Sequence, residues 1–204
     1  MRRGWSNVRL ASSLVTMQER TWSGHVFIAT SVDGFIARSN GDIDWLTDSP
    51  GETPGGDSGY DEFFASVDHL LMGRGTYEKV LTFEVWPYGD TPVLVLSSTL
   101  MPAVQSTQTA PGVQVVRSLA EAVAALNEAG AAHVYIDGGK VVQACLAADL
   151  VDDLTITRIP VLLGEGIPLF GALPGTLPGD IRLETRSADR IGGGMIQERY
   201  SVLR

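Results

Sequence analysis

The chain contains a single cysteine, Cys145, in 204 residues. One cysteine cannot form an internal disulfide or a multi-cysteine zinc site, and this usage is typical of proteins from a reducing cytoplasm. Histidine is also scarce: His25, His69 and His133 are dispersed along the chain and do not suggest a metal centre. We therefore expect a cytoplasmic protein without a bound metal.

Positive charge and long apolar runs are the next deficits. Fifteen Lys and Arg face 24 Asp and Glu, which gives a formal net charge of −9. Because general nucleic-acid binding needs a cationic surface, nucleic acid is not an expected partner. No stretch approaches the roughly 18 to 20 apolar residues of a membrane helix, so no membrane association is expected. The hydrophobic fraction of 44% nevertheless suffices for a packed core.

The first 23 residues differ from the rest of the chain. Their apolar patch, residues 10–15, is preceded by Arg9 and is too short for a signal-peptide core. Residues 1–23 are predicted to be a poorly ordered extension, and residues 24–204 to form one domain. Met17 lies close to the first predicted strand, and a start at this methionine would remove most of the extension.

Short apolar strands alternate with helical segments along the predicted domain. Strands are predicted at residues 26–29, 69–72, 92–96, 133–136 and 154–163, and helices at 60–67, 74–81, 119–129 and 140–146. The last two strands, residues 181–187 and 195–203, flank Gly192-Gly193-Gly194, which is typical of a hairpin turn. The pattern predicts a three-layer α/β/α domain with a mostly parallel mixed sheet and a C-terminal antiparallel hairpin.

Unusual residues follow three of these strands. The strand at residues 69–72 is followed by Gly73, Arg74, Gly75 and Thr76, and the strand at 92–96 by Ser97 and Ser98. The strand at 133–136 is followed by Asp137, Gly138, Gly139 and Lys140. In open α/β sheets ligands bind beyond the carboxyl ends of the strands. Glycines allow close backbone approach, helix N-termini favour anions, and Arg74 and Lys140 supply positive charge. A phosphate-rich ligand is predicted here, although turn glycines, an N-cap serine and solvated cations explain each signal separately.

Several segments resemble the dihydrofolate reductase superfamily, and more closely the reductase domain of the riboflavin-biosynthesis deaminase/reductase and its stand-alone relatives. The matching segments are ATSVDGFIA (residues 29–37), GDIDWLT (41–47), MGRGTY (72–77), DGG (137–139), LTIT (154–157) and LGEGIPLF (163–170). The third segment is similar to the M-G-R-x-T motif of dihydrofolate reductases. The fourth resembles the E-G-G motif of riboflavin reductases, with Asp in place of Glu. Neither a G-x-G-x-x-G fingerprint nor a P-loop is present.

This resemblance implies NADPH as hydride donor and a homodimer. The implied cofactor contacts are Ala29, Gly73, Arg74, Gly75, Thr76, Ser97, Ser98, Gly138, Gly139, Lys140 and Thr157. Arg74, Lys140 and the two serines would gather around the phosphates. The strand at residues 154–163 and the terminal hairpin are the expected dimer interface.

The acceptor would be a small molecule, phosphorylated in the riboflavin pathway, with a C=N or C=O bond. Asp137 is the first candidate for a functional carboxylate, because it ends a central strand beside two glycines. Asp33 is the second catalytic candidate, with a turn role as the alternative. Thr30, Trp45 and Asp61 are candidates for substrate binding, although an isolated Trp is as often a core residue.

Two departures leave the substrate open. Riboflavin reductases carry Asp four residues after the threonine that corresponds to Thr76, where this chain has Val80. Dihydrofolate reductases keep a carboxylate on the first helix, and none of Asp57, Asp61 and Glu62 aligns with it. The leading interpretation is a reductase of the 5-amino-6-(5-phosphoribosylamino)uracil reductase type. The alternatives are a dihydrofolate reductase-like enzyme for a pterin or another acceptor, and a catalytically silent nucleotide-binding homologue.

Overall fold

The computed structural model of the chain describes residues 20–47, 58–100, 112–171 and 179–204. Its strands are β1 (Ser23–Ser31), β2 (Phe35–Ala37), β3 (His69–Gly73), β4 (Val93–Leu96), β5 (Val113–Val116), β6 (His133–Asp137), β7 (Asp153–Ile159), β8 (Ile167–Pro168), β9 (Leu183–Arg190) and β10 (Ile196–Val202). Its α-helices are α1 (Asp44–Thr47), α2 (Tyr60–Ala65), α3 (Arg74–Val80), α4 (Leu119–Ala129) and α5 (Gly139–Ala147).

Eight strands form one sheet in the order β5-β4-β3-β6-β1-β7-β10-β9. The first six are mutually parallel, and β10 and β9 are antiparallel additions at one side. This arrangement confirms the predicted mostly parallel sheet with a C-terminal hairpin. Because parallel strands end at the same edge, the segments after β1, β3, β4, β6 and β7 share one rim of the sheet.

The two faces of the sheet are covered differently. On one, called here the α5 face, helices α4 and α5 pack on aliphatic side chains that include Val26, Ile28 and Ile136. On the other, the aromatic face, helices α2 and α3 pack on a cluster that includes Phe27 and Tyr135. Since strand side chains alternate between faces, each strand-end residue can be assigned to one of them.

Helix α4 begins and ends as its sequence predicts. The Ser118 hydroxyl accepts a hydrogen bond from the Glu121 N–H at 3.2 Å, and Gly130 ends the helix with φ 70°. The buried side of the helix presents Ala122, Val123 and Leu126. N-cap, apolar spacing and left-handed glycine therefore act together in this element.

The packed chain begins before residue 24. Arg20 donates two hydrogen bonds of 2.8 Å to the Asp152 carboxylate, and Trp22 is buried beside the α5 face. Residues 20–23 thus belong to the domain rather than to the predicted extension, whose residues 1–19 lie outside the described chain.

Other elements also differ from the prediction. Strand β7 ends at Ile159, before Pro160, and it lies between β1 and β10 with Leu154, Ile156 and Ile159 buried. These apolar side chains pack inside the domain, and the dimer interface stays a prediction. Strand β5 was not predicted. No helix in the described ranges is long and apolar enough to cross a membrane.

Candidate functional site

Asp137 is the last residue of β6 and lies on the aromatic face. Its register partner on β3 is Met72, which belongs to the aromatic cluster, and its carboxylate accepts a hydrogen bond of 2.7 Å from the Gly138 N–H. Burial raises the pKa of Asp137 to about 6, although the Gly138 N–H acts in the opposite direction. This carboxyl group can therefore be protonated or ionised near neutral pH.

Three tyrosines lie near enough to Asp137 for its charge to raise their pKa values. Burial raises the pKa of Tyr60 to about 12, and the charges of Asp137 and Asp61 add to the effect. The pKa values of Tyr88 and Tyr135 are also raised, by burial first and by Asp137 second. All three phenols keep their protons near neutral pH, so the wall beside Asp137 is aromatic and uncharged.

Rings fix these tyrosines in place. The Tyr60 ring lies 5.5 Å from that of Phe27 and 6.4 Å from that of Tyr135, both edge to face. The Tyr135 hydroxyl donates a 2.9 Å hydrogen bond to the Phe27 carbonyl. Helix α2 is thereby held across β1 and β6, with its first residue, Tyr60, close to Asp137.

The turn after β6 touches the turn after β3. Gly138 has φ 91°, and a Cβ added there would lie 2.5 Å from Thr76 Oγ1 and 3.7 Å from the Gly73 nitrogen. At Gly139 an added Cβ would lie 2.8 Å from the Pro168 carbonyl oxygen of β8. Contacts within the domain therefore require both glycines, independently of any ligand.

The two predicted cations lie in the first turns of α3 and α5. Neither helix has an acidic residue there to offset the positive end of its dipole. Lys140 is exposed; Arg74 is exposed and donates to Thr99 Oγ1 at 3.0 Å, with Glu78 3.5 Å away. Gly75, next to Arg74, faces open space. The rim thus carries two exposed cations, of which Arg74 has Glu78 as a neighbour.

The serines after β4 lie on the same rim, since Leu96 pairs with Gly73 of β3. Ser97 is buried, and its hydroxyl accepts hydrogen bonds from the N–H groups of Thr99 at 3.3 Å and Leu100 at 2.9 Å. Ser98 is exposed. Ser97 therefore stabilises the turn, and Ser98 is the serine available to a ligand.

Ala29 of β1 and Thr157 of β7 are register partners on the aromatic side of the sheet. Thr157 is buried, and its hydroxyl oxygen accepts a 3.1 Å hydrogen bond from Gln197 Nε2 of β10. Thr30 alternates to the α5 face and is buried there. The structure thus separates the Thr30 side chain from Asp137, although the prediction grouped both around one substrate.

The remaining predicted residues lie around this site. The Asp33 carboxylate accepts hydrogen bonds from the N–H groups of Leu163 at 3.2 Å and Gly164 at 2.7 Å. The Ser31 hydroxyl, followed by these N–H groups, lowers the pKa of Asp33. Asp33 therefore joins the turn after β1 to the loop after β7. Trp45 is buried in α1, and Asp61 is exposed on α2.

Sequence reasoning missed Tyr60, Tyr88 and Gln197. Tyr60 was assigned to a helix, but nothing in its sequence context indicates a neighbour on β6. Gln197 lies in a strand of alternating character, where a polar residue is normally solvent-exposed. Its burial at 4% exposure depends on contacts with residues far away in sequence.

The histidines lie at the opposite edge of the sheet, where β1, β3 and β6 begin. His25 Nδ1 is 2.7 Å from the Asp153 carboxylate, and His25 Nε2 is 3.1 Å from His133 Nδ1. Within the described ranges, no group of three or more His, Cys, Asp or Glu side chains could hold a metal ion.

Comparison with known proteins identifies the family. The RibD C-terminal domain family matches residues 24–197. The chain is 38% identical over 151 residues to the uncharacterized protein YwjB of Bacillus subtilis (strain 168). The aligned region covers 72% of this chain and 82% of YwjB.

Two solved structures show the same fold. A protein of Shewanella sp. PV-4 assigned to riboflavin biosynthesis has 38% identity and a TM-score of 0.76, over 89% of this chain and 99% of that one. Dihydrofolate reductase from Enterococcus faecalis, complexed with NADP(H), has 21% identity and a TM-score of 0.60, over 91% and 99% of the two chains. The fold is therefore that of dihydrofolate reductase, and the chain belongs to the RibD C-terminal domain family.

Proposed function

We propose that this protein is an NADPH-dependent reductase that transfers a hydride to a small molecule with a C=N or C=O bond. The closest reaction type is that of 5-amino-6-(5-phosphoribosylamino)uracil reductase. Membership of the RibD C-terminal domain family supports a reductase of the riboflavin type. The observation that carries the proposal is Asp137, a half-buried carboxyl group of pKa about 6 at the end of a central strand.

The residues of the rim fit a dinucleotide. Its phosphates would lie at the first turn of α5, where the backbone N–H groups of a helix start without intrahelical partners. Lys140 and Arg74 would add positive charge, and Ser98 would add a hydroxyl group. A cation in the first turn of a helix is unfavourable by itself, and a bound phosphate removes that penalty.

When bound, NADPH supplies the hydride, and the chain orients the acceptor and supplies a proton. Asp137 is the proposed proton donor, because its protonated form is populated near neutral pH. Tyr60 and Tyr88 exclude water from this carboxyl group, which preserves its raised pKa. Thr157 of β7 pairs with Ala29 of β1, and its hydroxyl is a candidate hydrogen-bond donor to the ligand.

The acceptor is proposed only as a class. Val80, which replaces the Asp of riboflavin reductases, is buried in the aromatic cluster and leaves no carboxylate at that position. Asp61 is exposed rather than buried on α2. The substrate that fits this chain best is therefore one that does not need the carboxylates with which riboflavin reductases and dihydrofolate reductases bind theirs.

Turnover of a panel of acceptors tests this function. Oxidation of NADPH, followed by its absorbance, should occur with at least one C=N or C=O compound, and the rate should fall as the pH rises above about 6. Asp137→Asn should bind NADPH normally and lose most of the turnover. Binding of NADPH without turnover of any acceptor would instead favour a catalytically silent homologue.

A further inference from the structure

Gln197 connects three parts of the domain at the rim. Its Nε2 donates hydrogen bonds to the Ser58 carbonyl at 2.7 Å and to Thr157 Oγ1 at 3.1 Å, and its Oε1 accepts one from Arg199 at 3.0 Å. A carbonyl only accepts and a guanidinium only donates, so these partners fix which end of the amide is nitrogen. Gln197 therefore has one defined orientation.

Its first connection holds the start of α2. Ser58 precedes Gly59, which has φ 75°, and α2 begins at Tyr60. A hydrogen bond from buried Gln197 to the Ser58 carbonyl therefore fixes the end of the helix that carries Tyr60. Because Tyr60 forms part of the wall beside Asp137, the position of this wall depends on β10.

Its second connection sets the direction of the Thr157 hydroxyl. Since Nε2 has only hydrogens to offer, Thr157 Oγ1 must accept from it, and the hydroxyl hydrogen is left for another acceptor. In the part of the chain that the structure describes, no protein acceptor receives this hydrogen. The residue is 5% exposed and pairs with Ala29, a predicted ligand contact.

We propose that Gln197 is a positioning residue of the reductase site. It holds the Thr157 hydroxyl as a hydrogen-bond donor towards bound NADPH and fastens the start of α2 above the same site. This inference rests on the proposed function. The ligand atom that it serves is an acceptor, a carbonyl or phosphate oxygen, because Thr157 is left with a hydrogen to donate.

The test is a double-mutant cycle on the dissociation constant of NADPH, measured by fluorescence titration. Gln197→Glu has nearly the same shape, but its carboxylate accepts the Thr157 hydrogen and so removes it from the ligand. We expect about a tenfold loss of affinity, the size of one hydrogen bond, for Gln197→Glu and for Thr157→Val. The double variant should lose less affinity than the product of the two single losses, because only the contribution of Gln197 through the Ser58 carbonyl is independent of Thr157. Thr157→Ser should retain the sensitivity to Gln197→Glu.

A second buried glutamine provides the matched control. Gln143 is also 4% exposed, and its Nε2 donates to the Leu169 carbonyl at 2.9 Å. Gln143→Glu buries the same charge without a contact to Thr157. Any effect that it has on the dissociation constant of NADPH should therefore multiply that of Thr157→Val. If Gln197→Glu does not fold, Gln197→Leu takes its place in the cycle.

The outcomes separate the two proposals. Independent, multiplying effects of the Gln197 and Thr157 variants on NADPH binding would overturn the positioning role and leave the reductase function intact. Absence of NADPH binding by the unmodified protein would overturn the proposed function, and the positioning role with it.

Discussion

Replacing Asp137 by Asn should stabilise the protein at neutral pH. The pKa of this carboxyl group rises from 3.8 to about 6 through burial. Because each tenfold change in ionisation corresponds to about 1.4 kcal/mol, ionising Asp137 costs the folded state roughly 3 kcal/mol relative to the unfolded chain. Between pH 4 and pH 6 the folded state binds more protons, so stability falls as the pH rises through this range. Above pH 6 the full cost is present.

Asparagine has nearly the same shape, can still accept from the Gly138 N–H and does not titrate. Urea denaturation should therefore show a gain for Asp137→Asn of about 3 kcal/mol at pH 7.5 and about 1 kcal/mol at pH 4.5. The difference of about 2 kcal/mol is diagnostic, since any other effect of the amide is common to both pH values. Asp90→Asn, on an exposed loop residue, is the control. Equal effects of Asp137→Asn at the two pH values would refute the reasoning.

Two further substitutions test the frame of the site. Gly138→Ala should destabilise the protein by at least about 2 kcal/mol, because φ is 91° and the added Cβ meets Thr76 at 2.5 Å. In thermal denaturation, Gly75→Ala should be neutral or stabilising, because Gly75 lies in a helix and an added Cβ would face open space. Equal losses of stability for Gly138→Ala and Gly75→Ala would contradict this account. Arg20→Ala should cost about 2 kcal/mol at pH 7, because it removes two hydrogen bonds to the Asp152 carboxylate. Burial raises the pKa of Asp152, but hydrogen bonds from Arg20 and other donors outweigh it and lower this pKa. In urea titrations the cost of Arg20→Ala should therefore shrink at acidic pH, where Asp152 is protonated. A cost that is the same at every pH would argue against the ion pair.

Local signals in the sequence were sufficient for most of the fold. Helix α4 combines a Ser118 N-cap, three-to-four apolar spacing and Gly130, and its predicted range matches the observed one. Strand β5 escaped prediction because Val113–Val116 is short and follows a segment without hydrophobic periodicity. The strand after Asp152 was predicted too long, because apolar residues continue beyond Pro160, where sheet pairing has already ended.

Site residues were predictable from the sequence only where they directly follow a predicted strand. Asp137 and Lys140 follow a buried strand, so the rule that ligands bind at the carboxyl ends of parallel strands was enough to select them. Gln197 was not predictable, because its contact with Ser58 spans 139 residues. Thr30 was misplaced relative to Asp137, because a shift of one residue along a strand moves a side chain to the other face.

Titration of the protein with NADPH tests the central claim most directly. Isothermal titration calorimetry should detect saturable binding, with affinity reduced about tenfold by Lys140→Ala, the size expected for one charge contact to phosphate. Lys79→Ala is the matched control, since its ammonium group pairs with Asp42 at 3.1 Å, and it should leave binding unchanged. Absence of binding at millimolar NADPH would contradict the account.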